Sequence, residues 1–217
     1  MTSAAREIDT GKAKRASKRD PESSKRTLIQ ATLDTIAEIG ITDTTVSKII
    51  ERAKLSRGMI HLHFGGKNQL LTEAAKSFGQ EYFDELDRCV QQAGSDPEAI
   101  IMAVVQADLG EVLMNERSTR IWHAFRGAAG SNDGIATYSS TRDQRLRDTL
   151  HAAFEGIAAE YREEDRATLA RDATFGLLVL LEGMWVDYLS NAKIFSREVA
   201  VSLIRRFIRG LFPNHFH

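Results

Sequence analysis

The stretch "AKLSRGMIHLHFGGKNQLL", residues 53–71, decides the fold. A serine able to cap a helix precedes the run Arg57 to Phe64, and the pair Gly65-Gly66 stops it. Met59, Ile60 and Phe64 can anchor such a helix in a core. Ser56, Arg57, His61 and His63 are donors for which a purely structural helix has no use. A second, equally short helix is predicted just upstream. Thr44 or Thr45 can cap it, and Val46, Ile49, Ile50 and Ala53 form its apolar face. Before that, Leu28, Ile29, Leu33, Ile36 and Ala37 share one face of a helix that starts near Lys25 and ends at Gly40. Two short helices joined by a tight turn, with a third packed across them, make a helix-turn-helix. The second of the pair enters the major groove and offers its N-terminal residues to base edges.

That geometry names candidate DNA contacts. Ser56, Arg57, Gly58, Met59, His61 and His63 lie on the recognition helix, and Thr44 and Thr45 on the turn before its partner. Lys67 opens a long fourth helix, whose N-terminal N–H groups suit a phosphate. Lys25 and Arg26 suit a second phosphate. The two histidines at i and i+2 do not share a helix face, so no metal pair is expected there.

Charge divides along the chain. The formal net charge is −1, yet residues 1–67 hold 13 Lys and Arg against 8 Asp and Glu. Only the front of the chain is suited to a polyanion. Residues 1–24 lack apolar periodicity and read as a basic arm, which can track phosphate or enter a minor groove, or merely solubilise. The rest reads as helical: about 67–92, 97–115, 118–129, 135–162, 166–190 and 196–211, with no alternating strand pattern. The expected class is all-α, with a helix-turn-helix domain at 25–71 and a helical ligand-binding and dimerisation domain at 72–217. Cys89 is the single cysteine, expected as a small core residue, so no disulfide framework exists. No secretory signal or membrane-long apolar run stands out, which predicts a cytoplasmic protein without membrane attachment. No Glu-x-x-His pair or Gly-rich phosphate loop is present, so neither an enzyme nor a bound cofactor is expected.

Residues 25–71, "KRTLIQATLDTIAEIGITDTTVSKIIERAKLSRGMIHLHFGGKNQLL", resemble the DNA-binding domain of the tetracycline-repressor (TetR) family. The resemblance implies a homodimeric, all-helical repressor that binds double-stranded operator DNA and is released by a small molecule. Two departures matter. The family usually carries Gly where Lys54 stands, so a left-handed helix end there would cost about 1 kcal/mol. The family is also aromatic-rich where this chain has His61-Leu62-His63, so tyrosine contacts to phosphate do not carry over.

The second half predicts a dimer and a pocket. "ATFGLLVLLEGMWVDYL", residues 173–189, is apolar nearly all round, which suits burial against both its own core and a second copy. Gly176 and Gly183 would permit close approach of helices. Val199, Leu203, Phe207 and Leu211 form one face of the last helix, which could complete a two-fold interface. Trp122, Phe125, Trp185 and Tyr188, with Glu182 as an acid in an apolar run, could line a site for a cation, quaternary ammonium above all. The alternative is that the aromatics are core and Glu182 pairs with an arginine across the interface. "IWHAFRGAAG", "FGLLVLLEGMWVDYLSN" and "LIRRFIRGLFP" are similar to the branch of the family that represses glycine-betaine synthesis. That resemblance implies choline or betaine aldehyde as effector; another apolar or cationic effector is the alternative.

Overall fold

A computed structural model describes residues 20–217, and of residues 139–143 the backbone only. The described residues are helical throughout, in the order α1 (Pro21–Asp43), α2 (Val46–Ala53), α3 (Arg57–Phe64), α4 (Lys67–Ala93), α5 (Pro97–Asp108), α6 (Glu116–Ala129), α7 (Asp133–Ala158), α8 (Glu163–Asn191) and α9 (Arg197–Leu211). The all-α expectation therefore holds. The basic arm lies mostly outside the described residues, but its last part is helical. Asp20 accepts from the Glu22 N–H and Pro21 follows at the first helical position, so α1 begins ahead of the predicted Lys25.

Three apolar clusters divide the molecule. In the head, Leu28 and Ala31 of α1 meet Ile49 and Ala53 of α2, Ile60 and Phe64 of α3, and Leu70 of α4. In the body, α4, α5, α7, α8 and α9 enclose residues such as Leu86, Val104, Phe154, Leu177 and Ile204. Between them, Leu33 and Ile36 of α1 pack with Leu71, Ala74 and Ala75 of α4, Ile121 and Phe125 of α6, and Ile135 of α7. Helix α6 is thus clamped between head and body.

Several ends show what local sequence can and cannot decide. Gly40 takes φ 79° and breaks α1, as expected of a glycine stop, although a last turn continues to Asp43. Helix α5 stops at Asp108, not near residue 115. Gly110 sits so close to the preceding turn that an added Cβ would lie 2.9 Å from the Gln106 carbonyl. Arg197 of α9 donates to the carbonyls of Leu109 and Met114 at 2.9 and 2.7 Å, which satisfies backbone groups that a longer helix would have paired. Gly176 does permit close approach: a Cβ there would lie 2.3 Å from Phe207 Cζ. Gly183 has open space around it.

One expectation about membranes needs correction. Helix α8 is long and apolar enough to cross a membrane by length and composition, with a window of mean hydropathy 1.2. Only a third of that window is buried. The remaining apolar surface includes the exposed side chains Phe175, Val179, Val186 and Leu189.

Candidate DNA and effector sites

The head presents α3 outward. Ile60 and Phe64 are buried, whereas Arg57, Gly58, His61 and Leu62 are exposed. Ser56 occupies the N-cap position, but its side chain makes no capping hydrogen bond, which leaves the hydroxyl free for another partner. Gly58 has no fold-related reason to lack a side chain, because an added Cβ would meet only Ser56 Oγ at 3.9 Å. A glycine inside a helix costs roughly 1 kcal/mol against alanine. Met59 is half-buried against the head core and contributes packing. His63 is also half-buried, with its ring against Phe64, and its Nε2 is buried without a hydrogen-bond partner.

The flanking candidates separate. Thr45 is the N-cap of α2, its Oγ1 accepting from the Lys48 N–H at 3.4 Å. Thr44 corrects the expectation: it is fully buried and donates to the Gly40 carbonyl at 2.7 Å, because the last turn of α1 folds over it. It cannot touch DNA from there. Lys67 starts α4 beside α3, with Gly66 offering no side-chain cap to its open N–H groups. Arg26 is exposed, while Lys25 is engaged by Glu22 at 3.0 Å. Lys54 stands at the end of α2 with φ 52° and ψ 44°, so the strained conformation expected from its sequence position is present.

The body holds a cavity of about 210 Å³ between α5, α6, α7 and α8. Its wall includes Asp108, Arg126, Arg147, Phe175, Glu182 and Trp185. Asp108 was missed by sequence reasoning. It is 1% exposed, and both its oxygens accept: Tyr82 Oη donates to Oδ1 at 2.6 Å and Trp185 Nε1 to Oδ2 at 2.9 Å. An ionised carboxylate is acceptor-only, so two donors on two oxygens suit the anion. The signal was an acid at the end of the apolar run "AIIMAVVQAD", the same signal that singled out Glu182.

Only part of the predicted aromatic set meets here. Trp185 and Glu182 line the cavity, and Glu182 pairs with Arg126 of the same chain at 3.6 Å. Trp122 is off the cavity wall; the guanidinium of Arg126 lies over its ring at 5.1 Å. Phe125 is corrected: it packs in the cluster joining head and body, 6.3 Å from Phe78, because that side of α6 faces α1 and α4. Tyr188 is corrected too. It sits one turn beyond Trp185, edge-on to Phe195 and beneath the Arg197 guanidinium, at a separate concavity of about 340 Å³ with no buried charged side chain. Cys89 is half-buried on α4 against the body core, where burial first and then Glu85 push its thiol up.

A helix-turn-helix head on a helical body with a cavity matches known proteins. Residues 28–74 match the model of bacterial regulatory proteins of the tetR family, and residues 97–213 that of the BetI-type transcriptional repressor C-terminal domain. The chain belongs to the TetR family, with a BetI-type C-terminal domain. An HTH-type transcriptional regulator BetI from Cronobacter sakazakii is 30% identical over 186 residues, 85% of this chain and 89% of the relative. One from Stenotrophomonas maltophilia is 31% identical over 73% of this chain and 78% of its own. Among solved structures, a transcriptional regulator from Pseudomonas aeruginosa PAO1 superposes with TM-score 0.80 at 26% identity, over 92% of this chain and 95% of that one. One from Saccharomonospora viridis, solved in complex with choline, superposes with TM-score 0.71 at 19% identity, over 87% and 96%. This TetR-family chain is a ligand-responsive transcriptional repressor that binds DNA and a small effector, and not an enzyme.

Proposed function

We propose that the chain is a homodimeric, cytoplasmic repressor that leaves its operator when choline, or betaine aldehyde, enters the cavity beside Asp108. The observation that carries the effector is the buried Asp108 carboxyl, held by Tyr82 and Trp185 at a cavity small enough for a small cation. A quaternary ammonium cannot donate hydrogen bonds, so it suits an anion whose oxygens already have donors, beside an indole face. The choline bound in the regulator from Saccharomonospora viridis supports the same class of ligand.

The dimer reading rests on the stripe Phe175, Val179, Val186 and Leu189 on α8 with Val199 and Leu203 on α9. Soluble monomers rarely expose a contiguous apolar stripe of this kind. A two-fold pair would set two α3 helices for half-sites about 34 Å apart. Residues 25–71 would then carry DNA recognition through Ser56, Arg57, Gly58, His61 and Lys67, and the remainder the effector and the second copy. The effector must bind the released arrangement more tightly than the operator-bound one, since a ligand without that preference shifts nothing.

Thermal shift on the full-length protein tests the effector. Choline at about 100 times its Kd stabilises by about 2.7 kcal/mol. Asp108→Asn should abolish the rise and make operator release insensitive to choline. A flat response to choline, betaine aldehyde and betaine would remove this effector and leave the repressor. Sedimentation tests the dimer, with Phe175→Glu expected to give a monomer.

A further inference from the structure

The effector cavity already contains a cation of the protein's own. We propose that Arg126 is the resident cation of this cavity and that a cationic effector acts by displacing its guanidinium. The proposal rests on the effector being a small cation, as above, and adds how its seat is vacated.

Arg126 lines the cavity together with Asp108, Glu182 and Trp185. Its guanidinium stacks 5.1 Å from the Trp122 ring centroid and meets Glu182 at 3.6 Å. These are the groups that would recognise a quaternary ammonium: an aromatic face and carboxylates. Trp122 lies off the wall while Arg126 covers its ring, so movement of Arg126 adds an indole face to the site. The pair with Glu182 resists displacement little, because the Arg126 and Glu182 side chains are about a third exposed. Solvent-open pairs of this kind contribute little. Two cations cannot share one aromatic face and one set of acids without repulsion.

Arg126 sits on the helix that also grips the head. Arg117 of α6 donates to Asp34 at 2.7 Å and to Gln30 at 3.1 Å, both on α1, and Arg120 reaches the Ala37 carbonyl at 3.5 Å. Displacing Arg126 therefore acts on a helix that is shared between the cavity and the DNA-binding head. In the effector-free state the guanidinium fills the site and keeps α6 where it holds α1.

Calorimetry with choline and with tetramethylammonium on the full-length protein tests the proposal. Operator release is followed in parallel on DNA selected with the wild-type protein. Arg126→Gln should bind each cation about tenfold more tightly and release operator at about tenfold lower choline, the order expected from removing a competing cation. Arg147→Gln removes an equal charge from the same cavity wall without uncovering Trp122 and should stay within about twofold of wild type. Equal or weaker cation binding in Arg126→Gln, with its circular dichroism unchanged, overturns displacement while leaving choline as effector. An equal gain in Arg147→Gln also overturns it, since charge alone would then explain the effect. Binding by Arg126→Gln but not by wild type overturns displacement as well, because no cation then dislodges the guanidinium in the natural chain. Binding by neither overturns both.

Discussion

Tyr82→Phe isolates the group on which the effector site depends. The Tyr82 ring is buried and stands edge-on to Phe83 at 5.3 Å, and a phenylalanine would keep that packing. What is lost is the 2.6 Å hydrogen bond from Oη to Oδ1 of the buried Asp108. Hydrogen bonds to charged groups contribute about 1.5–3 kcal/mol. The expected loss is about 2 kcal/mol, or about 4–8 °C in Tm for a chain of this size. Urea unfolding followed by far-UV circular dichroism measures it, at one fixed protein concentration because association shifts apparent stability. Tyr161→Phe is the matched control. Its Oη is buried without a hydrogen-bond partner, so removing it should cost almost nothing. Trp185→Phe removes the second donor to Asp108, and the double variant should lose less than the sum because both singles act on one carboxyl. A Tyr82→Phe loss under about 0.5 kcal/mol, or one no larger than that of Tyr161→Phe, would refute the anchored-carboxyl reasoning.

Arg57→Ala should weaken operator affinity by about 1–3 kcal/mol without changing the sedimentation of the free protein, as a gel shift on selected DNA would show; unchanged affinity removes Arg57 from the interface. Lys54→Gly relieves a left-handed non-glycine residue at the end of α2 and should stabilise the protein by about 0.5–1 kcal/mol in urea. Glu98→Gln tests the C-terminal clasp. Burial alone would raise the Glu98 carboxyl, but the Phe216 N–H and His215 outweigh it and hold it below its ordinary value. A lowered carboxyl stabilises above its unfolded value and loses that contribution as pH falls through the folded one. Wild type should thus lose more Tm than Glu98→Gln between about pH 5 and about pH 3, and equal losses would exclude the contact of Glu98 with His215 and Phe216.

How much was legible in the sequence follows the range of the forces involved. The Ser56 to Gly66 punctuation and the Asp96-Pro97 start rest on caps and backbone preferences within a few residues, and those helix ends are where the residues place them, while Gly40 breaks α1 but a last turn carries it on to Asp43. The α1 start was equally legible in Asp20-Pro21, and the absence of apolar periodicity in the arm hid it. Lys54 shows the same point in reverse: its strain was readable because only the identity of one residue and its place in the turn were needed.

The sequence by itself determined the helix-turn-helix, the polar outer edge of α3 and the apolar excess of α8, because periodicity and capping act locally. Only the tertiary structure decided which aromatics share a cavity. Trp122 and Phe125 are three residues apart on α6, yet one faces Arg126 near the effector cavity and the other faces α1. Asp108 was an unremarked acid until Tyr82, 26 residues before it, and Trp185, 77 after it, met its two oxygens. Those partners come together only when α4, α5 and α8 pack, and no pattern along a single helix encodes which side chains packing will bring within 3 Å of each other.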